Sequence, residues 1–271
     1  MAAPDRERAP TIVKLGGSVL TRKREVERLR PKLLARLAHE VASTTQSRVV
    51  LLHGAGSFGH PGARRFGLAR PPEDGASAAQ RSRGAAIVAA EVRRLHLAVL
   101  RALLAAGASP ESIPLSTHAV QRAGQLRSLD AGPVRDALDR GRLPVSFGDV
   151  VPDEAWTSSI LSADTIALEL VRALGARRVI FVSDVPGVYD GPPVPRRRIV
   201  AEVSSATLEG LRPPADRPDV TGGIRGKVEA MLAIAAAGAD AALISGLTDG
   251  ALSRALRGEY VYGSWARAPS G

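Results

Sequence analysis

The stretch RVVLLHGAGSFGH, Arg48–His60, decides the fold. Its first half is an unbroken apolar run. A strand with one wet face would alternate apolar and polar residues, so a continuous run predicts a strand covered on both faces, as in a parallel sheet. Its second half places Gly54, Gly56 and Gly59 around Ala55 and ends at His60. Ligands of open α/β sheets gather at the carboxyl ends of the strands. This segment therefore predicts a buried parallel strand that runs into a binding loop.

The same grammar recurs along the chain. Thr11–Gly16 (TIVKLG), Leu143–Gly148 (LPVSFG), Arg178–Asp184 (RVIFVSD) and Ala241–Ser245 (AALIS) read as further strands. Between them, helical spacing covers residues 25–42, with Leu29, Leu33, Leu37 and Val41 on one stripe. Further helices are predicted over residues 77–106 (one helix or two), 162–174, 223–237 and 249–257. VVPDEAWTSS reads as a hairpin or loop, and a short last strand is predicted near Tyr260–Tyr262. The Pro-bearing region 185–221 reads as irregular surface. Strands alternating with helices predict an α/β fold with a mostly parallel sheet.

The chain has 271 residues, 45% of them hydrophobic and only 3% aromatic, so its core must be built from Ala, Val, Leu and Ile. The formal net charge is +10. The arginines are dispersed and lack aromatic stacking partners, which argues against a nucleic-acid partner. A basic surface also attracts anionic metabolites. The absence of cysteine rules out disulfides and thiolate metal sites. MAAPDRERAP lacks an apolar signal core and no stretch has the length of a membrane span, so a cytoplasmic protein without a membrane partner is expected.

Among 37 basic Lys and Arg residues only four are lysine: Lys14, Lys23, Lys32 and Lys227. Lys14, Lys23 and Lys227 lie in or beside glycine-rich segments. Arginine is a planar fork, whereas lysine is a compact charge on a flexible stem that can follow a moving phosphoryl group. Lysine kept at glycine loops in an arginine-rich chain points to phosphoryl transfer. Lys32 reads as a solvent-facing helix residue, and His39, His53, His96 and His118 as structural.

The glycine loops are KLGGS (Lys14–Ser18), HGAGSFGH (His53–His60), FGDV (Phe147–Val150), VSDVPGVYDG (Val182–Gly191) and DVTGGIRGK (Asp219–Lys227). Gly16 and Gly17 would let backbone N–H groups approach a phosphate. Asp184 and Asp190 bracket a glycine turn at Gly187. Singly, each loop could be ordinary turn chemistry, and none has the spacing of a P-loop or a Rossmann fingerprint. Their conjunction and order carry the weight.

In that order the chain resembles the amino acid kinase superfamily, from about residue 11 to 262. GSFGH, ending at His60, makes it similar to the isopentenyl phosphate kinases within that superfamily. The resemblance implies an open αβα sandwich. An N-terminal lobe, about 11–175, would bind the phosphate acceptor, and a C-terminal lobe, about 176–265, would bind ATP with Mg2+. The implied reaction moves the γ-phosphoryl group of ATP to isopentenyl phosphate, and a homodimer is expected. By position, Lys14, Lys23 and Lys227 would neutralise the transferred group, and Asp164 would orient the lysines. His60 would hold the acceptor phosphate in line. Gly54, Ala55, Gly59 and Ala163 would line the acceptor. Gly16, Gly17, Ser18, Gly56, Asp184, Gly187, Asp190, Gly222 and Gly223 would line the nucleotide, together with Lys14 and Lys227. No protein metal ligand is assigned, and Asp149 is expected only to organise its loop.

Two departures stand out. Ala55 replaces the middle glycine of a triple glycine, and Ala163 replaces the glycine of an SGD motif. A positive φ at either position would strain an alanine. For the apolar tail, Ala85, Ala86, Ile87, Ala89 and Ala90 offer a wall, although most of them read more simply as helix core. The competing readings are a kinase of the fosfomycin type and a non-catalytic nucleotide- or nucleic-acid-binding regulator.

Overall fold

The computed structural model describes residues 9–22, 25–44, 48–72, 77–191, 198–211 and 223–269. Lys23 and Gly222 therefore lie outside the described residues, as does most of the Pro-rich stretch between 192 and 222.

The strands are β1 (Thr11–Leu15), β2 (Val49–His53), β3 (Pro110–Ser112), β4 (Ala119–Arg122), β5 (Gln125–Leu129), β6 (Leu143–Phe147), β7 (Asp149–Asp153), β8 (Thr157–Leu161), β9 (Arg178–Ser183), β10 (Asp240–Ser245) and β11 (Gly263–Ala266). The helices are α1 (Gly17–Leu20), α2 (Pro31–Ala42), α3 (Gly56–Arg65), α4 (Ala78–Ala105), α5 (Gly132–Asp139), α6 (Ala163–Leu174), α7 (Ser205–Gly210), α8 (Gly223–Ala236) and α9 (Ala251–Leu256).

One seven-stranded sheet runs in the order β11-β10-β9-β1-β2-β6-β3, parallel throughout except for β11. The alternation along its strands sorts the core into two halves. Ile12, Val50, Leu52, Val179, Phe181, Ala241 and Leu243 face one side with α6 and α8. Val13, Leu15, Leu51, Ile180, Val182 and Ile244 face the other with α2, α4 and α9. Both faces are covered, which is why β2, β9 and β10 carry continuous apolar runs and β1 is interrupted only at Lys14. The architecture is the open αβα sandwich with a mostly parallel sheet.

β1 is the strand at which the chain order reverses: β2 pairs on one edge and β9 on the other, both in parallel. That is the position at which doubly wound sheets open a crevice. A second sheet, β5-β4-β7-β8, packs against α4. Its β8 leads directly into α6 through Ser162, whose Oγ accepts from Thr165 N at 3.0 Å and caps the helix.

Several boundaries differ from the sequence expectations. The helix expected from residue 25 begins at Pro31, because proline favours the first turn and the segment before it pairs through Thr21 and Leu29. Residues 78–105 form one continuous helix capped by Ser77. The last strand lies at Gly263–Ala266, three residues beyond Tyr260, where pairing with β10 demands a glycine: a Cβ at Gly263 would collide with the Leu243 carbonyl.

Candidate active site

Lys14 lies on β1 in register with Phe181 of β9, and its side chain points to the face covered by α6. Asp164 occupies the first turn of that helix. Their charged heads meet at 2.8 Å, with both side chains largely buried. Burial alone would raise the pKa of Asp164. The Lys14 and Lys227 ammoniums outweigh it, aided by the Lys14 hydrogen bond and by His60, and hold the carboxyl below its usual range.

Lys227, one turn inside α8, brings its ammonium to 5.8 Å from the centre of the Phe181 ring, and Lys14 stands 6.0 Å from the same ring. One aromatic face thus carries two lysine heads. The groups from β1, α3, α6 and α8 converge, as the lysine argument requires.

The backbone around them is as close-packed as backbone can be. A Cβ at Gly17 would collide with Gly56, and one at Gly54 would stand 3.0 Å from Gly17 N. Gly56 has φ +52°, and a side chain there would strike Thr21. Thr21 is fully buried and ties the two loops together: its Oγ1 donates to Gly17 O at 2.7 Å and accepts from Ser57 N at 2.9 Å. The sequence reading missed Thr21 and Phe181. No local motif marks either of them, since a threonine after a turn and a phenylalanine in an apolar strand are commonplace.

Both alanines that replace family glycines fit without strain. Ala55 has φ −74° and ψ −24°, and Ala163 is the first residue of α6. Neither requires a positive φ.

A cavity of about 620 Å3 opens beside these groups. Lys14, Gly16, Gly17 and Ser18 line it, as do Gly54, Ala55, Gly56, Gly59 and His60 from the second loop. Of the other expected residues, Ala163, Asp164, Asp184, Gly187, Gly223 and Lys227 line it as well. Asp190 is different: it does not line the cavity, and its Oδ1 accepts from Arg198 N at 3.3 Å, so it closes its own loop.

The apolar wall also differs from expectation. Val88 and Val92 of α4 and Ile160 of β8 line the cavity, backed by Leu68 and Phe147. Ala86, Ile87 and Ala90 are exposed instead. The buried stripe of the helix (Gly84, Ala85, Val88, Val92, Leu95) follows i, i+3 and i+4 spacing and leaves Ala86, Ile87 and Ala90 on the outer face. Asp149 reaches the cavity and is itself buried. Burial pushes its carboxyl up, although Ser116 Oγ donates to it at 2.8 Å and Arg93 approaches at 3.0 Å. Among the described residues no three His, Asp or Glu side chains come together as a metal cluster, and no helix is long and apolar enough to cross a membrane.

A lysine pair, a buried aspartate paired with one of them and apposed glycine loops lie at the sheet's switch point, and the chain belongs to the amino acid kinase family, whose profile matches residues 9–245. The resemblance narrows further among curated relatives. Isopentenyl phosphate kinase of Methanothermobacter thermautotrophicus is 35% identical over 262 residues, spanning 93% of this chain and 97% of that one. Isopentenyl phosphate kinase of Haloferax volcanii is 36% identical over 83% of this chain and 88% of its own length. A crystal structure of isopentenyl phosphate kinase superposes with a TM-score of 0.85 at 32% identity, covering 94% of this chain and 99% of that one.

Proposed function

We propose that this chain is an ATP-dependent kinase that transfers the γ-phosphoryl group to isopentenyl phosphate, giving isopentenyl diphosphate and ADP. The observation that carries the reading is the convergence of Lys14, Lys227 and Asp164 on one cavity that also holds His60. Full-length relatives named isopentenyl phosphate kinase support the acceptor.

The reacting centre is dense in negative charge, and phosphoryl transfer needs in-line placement and neutralisation more than covalent help. Lys14 sits between the two glycine loops and bridges acceptor and γ-phosphate. Lys227 approaches from the nucleotide side. Asp164 holds Lys14 in place, so that its ammonium is pre-aimed rather than recruited. Lys23 belongs to the same reading as a second lysine at the transferred group. His60 holds the acceptor phosphate by hydrogen bonding and need not act as a base, because a phosphate monoester is largely ionised near neutral pH, its second pKa being about 6. Val88, Val92 and Ile160 receive the short apolar tail, beside Gly54, Ala55, Gly59 and Ala163.

Gly16, Gly17, Ser18, Gly56, Asp184, Gly187 and Gly223 form the nucleotide side. We assign the acceptor to a lobe of about 11–175 and ATP to a lobe of about 176–265. Magnesium suits this site as a companion of the nucleotide. It prefers phosphate oxygens and water with one or two carboxylates; of the three described carboxylates lining the cavity, Asp164 is engaged by Lys14 and Asp149 by Arg93 and Ser116, while Asp184 accepts from the Ser183 hydroxyl. A homodimer is also part of the proposal, supported by Leu97 and Leu104, exposed on one stripe of α4, and light scattering tests it. A cytoplasmic location belongs to the same reading.

The decisive experiment is ADP release with MgATP and a panel of isopentenyl, dimethylallyl and geranyl phosphates, fosfomycin and acetylglutamate. Turnover fastest with isopentenyl phosphate is expected. Turnover with fosfomycin alone would move the assignment to that enzyme type. His60→Ala should reduce turnover strongly, and normal activity would remove His60 from the mechanism.

A further inference from the structure

Two buried imidazoles have no part in the reaction so far. His53 ends β2 and is fully buried, and His96 lies in α4 at 6% exposure. They form a chain with one polarity. His53 Nδ1 lies 3.2 Å from Gly54 O, His53 Nε2 lies 3.0 Å from His96 Nδ1, and His96 Nε2 lies 2.8 Å from Ser112 Oγ. A carbonyl only accepts. The proton must therefore sit on His53 Nδ1, which leaves Nε2 bare to accept from His96 Nδ1–H. His96 Nε2 is then bare in turn and accepts from the Ser112 hydroxyl, on an edge strand open to solvent.

The environment keeps both rings neutral, as this polarity requires. Burial lowers His53 to about 3, with His96 and Lys14 adding to the effect, and it lowers His96 to about 4, with Arg93 adding. Phe147 packs against both, at 5.3 and 4.2 Å between ring centres. The rings cannot swing away.

What the chain fixes is a peptide plane. The Gly54–Ala55 bond is trans, so a carbonyl turned to His53 turns the Ala55 N–H the opposite way. Gly54 and Ala55 both line the cavity, and among the described residues no backbone carbonyl takes the Ala55 N–H.

We propose that His53, backed by His96 and Ser112, is a positioning residue that clamps the Gly54 carbonyl and thereby aims the Ala55 N–H at the anionic group of the acceptor. The proposal rests on the acceptor-loop reading above and extends it to a side chain that never touches substrate.

Long-range 15N NMR of the full chain, with histidine labelled, is expected to show both rings in the Nδ1–H form, assigned from the signals lost in His53→Asn and His96→Asn. His53→Leu should raise the KM for isopentenyl phosphate about tenfold, the scale of one hydrogen bond to a charged group, with the KM for ATP nearly unchanged. His53→Asn, whose amide nitrogen can replace Nδ1, should recover most of that. Should His53→Leu not fold, Ser112→Ala releases the far end of the chain and is expected to raise the same KM more modestly. An Nε2–H form at His53, or equal acceptor KM in the Leu and Asn variants, would overturn the proposal. Calorimetry with inorganic phosphate repeats the comparison without turnover. If the wild type ignores isopentenyl phosphate while His53→Leu still weakens phosphate binding, the function falls and the positioning role stands.

Discussion

Lys14 and Asp164 meet at 2.8 Å, one from the first strand and the other from the helix that packs on it, and the same carboxylate also feels Lys227 and His60. A single acid thus organises the cationic groups of the site, and its own charge is secured by them.

Removing that acid should disorganise the lysines without emptying the cavity. Asp164→Asn is expected to lower kcat about 100-fold, the scale of a misplaced catalytic group, with smaller changes in either KM. Steady-state kinetics decide it, and a kcat within about twofold of the parent would show that Lys14 needs no such anchor.

The lowered pKa of Asp164 has a definite sign. The carboxylate is charged in the fold at all pH values above its ordinary range near 3.9, and its contribution is lost only as pH falls through the still lower folded value. The ion pair should therefore add no inflection to the pH–rate profile between pH 5 and 8. An acidic limb there that Asp164→Asn abolishes would refute this.

The buried imidazoles have the same sign but act in a higher pH window. Both have folded values below the unfolded one near 6.5, at about 3 and about 4. Stability is complete above pH 6.5 and falls as pH drops toward 4, because the unfolded chain binds protons that the fold refuses. The slope approaches about 1.4 kcal/mol per pH unit for each ring. Thermal unfolding from pH 7 to 5 should show a falling Tm, shallower in a His53→Gln, His96→Gln double variant. A flat parent curve would sink the idea.

Gly56→Ala combines a forbidden backbone with a collision. The positive φ costs an alanine about 1–2 kcal/mol, and the new methyl would strike Thr21. Loss of Tm and of both substrate affinities is expected, since the two loops must separate. Thr21→Ser, which keeps the hydroxyl, should be mild. A Gly56→Ala protein as active as the parent would mean that the loops are not wedged together.

Ile160→Phe tests the wall. The larger ring should raise the KM for isopentenyl phosphate and leave the KM for ATP alone. Longer prenyl phosphates should suffer more than shorter ones, as a filled apolar pocket loses about 1–3 kcal/mol per displaced methylene. Equal effects on both substrates would place the tail elsewhere.

The readable parts of this chain were those in which one physical demand dominates. β1, β2, β9 and β10 are buried on both faces, and their apolar runs, broken in β1 only by Lys14, show it. β3 and β5 escaped the reading because Pro110–Ser112 is short and sits at an edge, and Gln125–Leu129 is mostly polar, lies on an exposed small sheet and lacks a two-residue alternation. α3 was hidden by its composition, with glycines at 56, 59 and 62 and Pro61 inside it. Packing against α4 explains two of those glycines: a Cβ at Gly59 would stand 2.7 Å from Val92, and one at Gly62 would stand 2.7 Å from Val88. The lysines, Asp164 and the glycine loops were legible as motifs. Thr21, Phe181 and the valine wall were not, because their roles exist only once distant segments are side by side.

β1 lies between β2 and β9, so the earliest strand made is held on one side by a strand translated far later. Lys14 must wait for Phe181 and Lys227 before its neighbourhood exists. A ribosome-bound chain that ends short of β9 can pair β1 with β2 but presents a bare hydrophobic edge where β9 belongs. Competence and protection from aggregation should then arrive together, late in synthesis, with non-local pairing setting the pace.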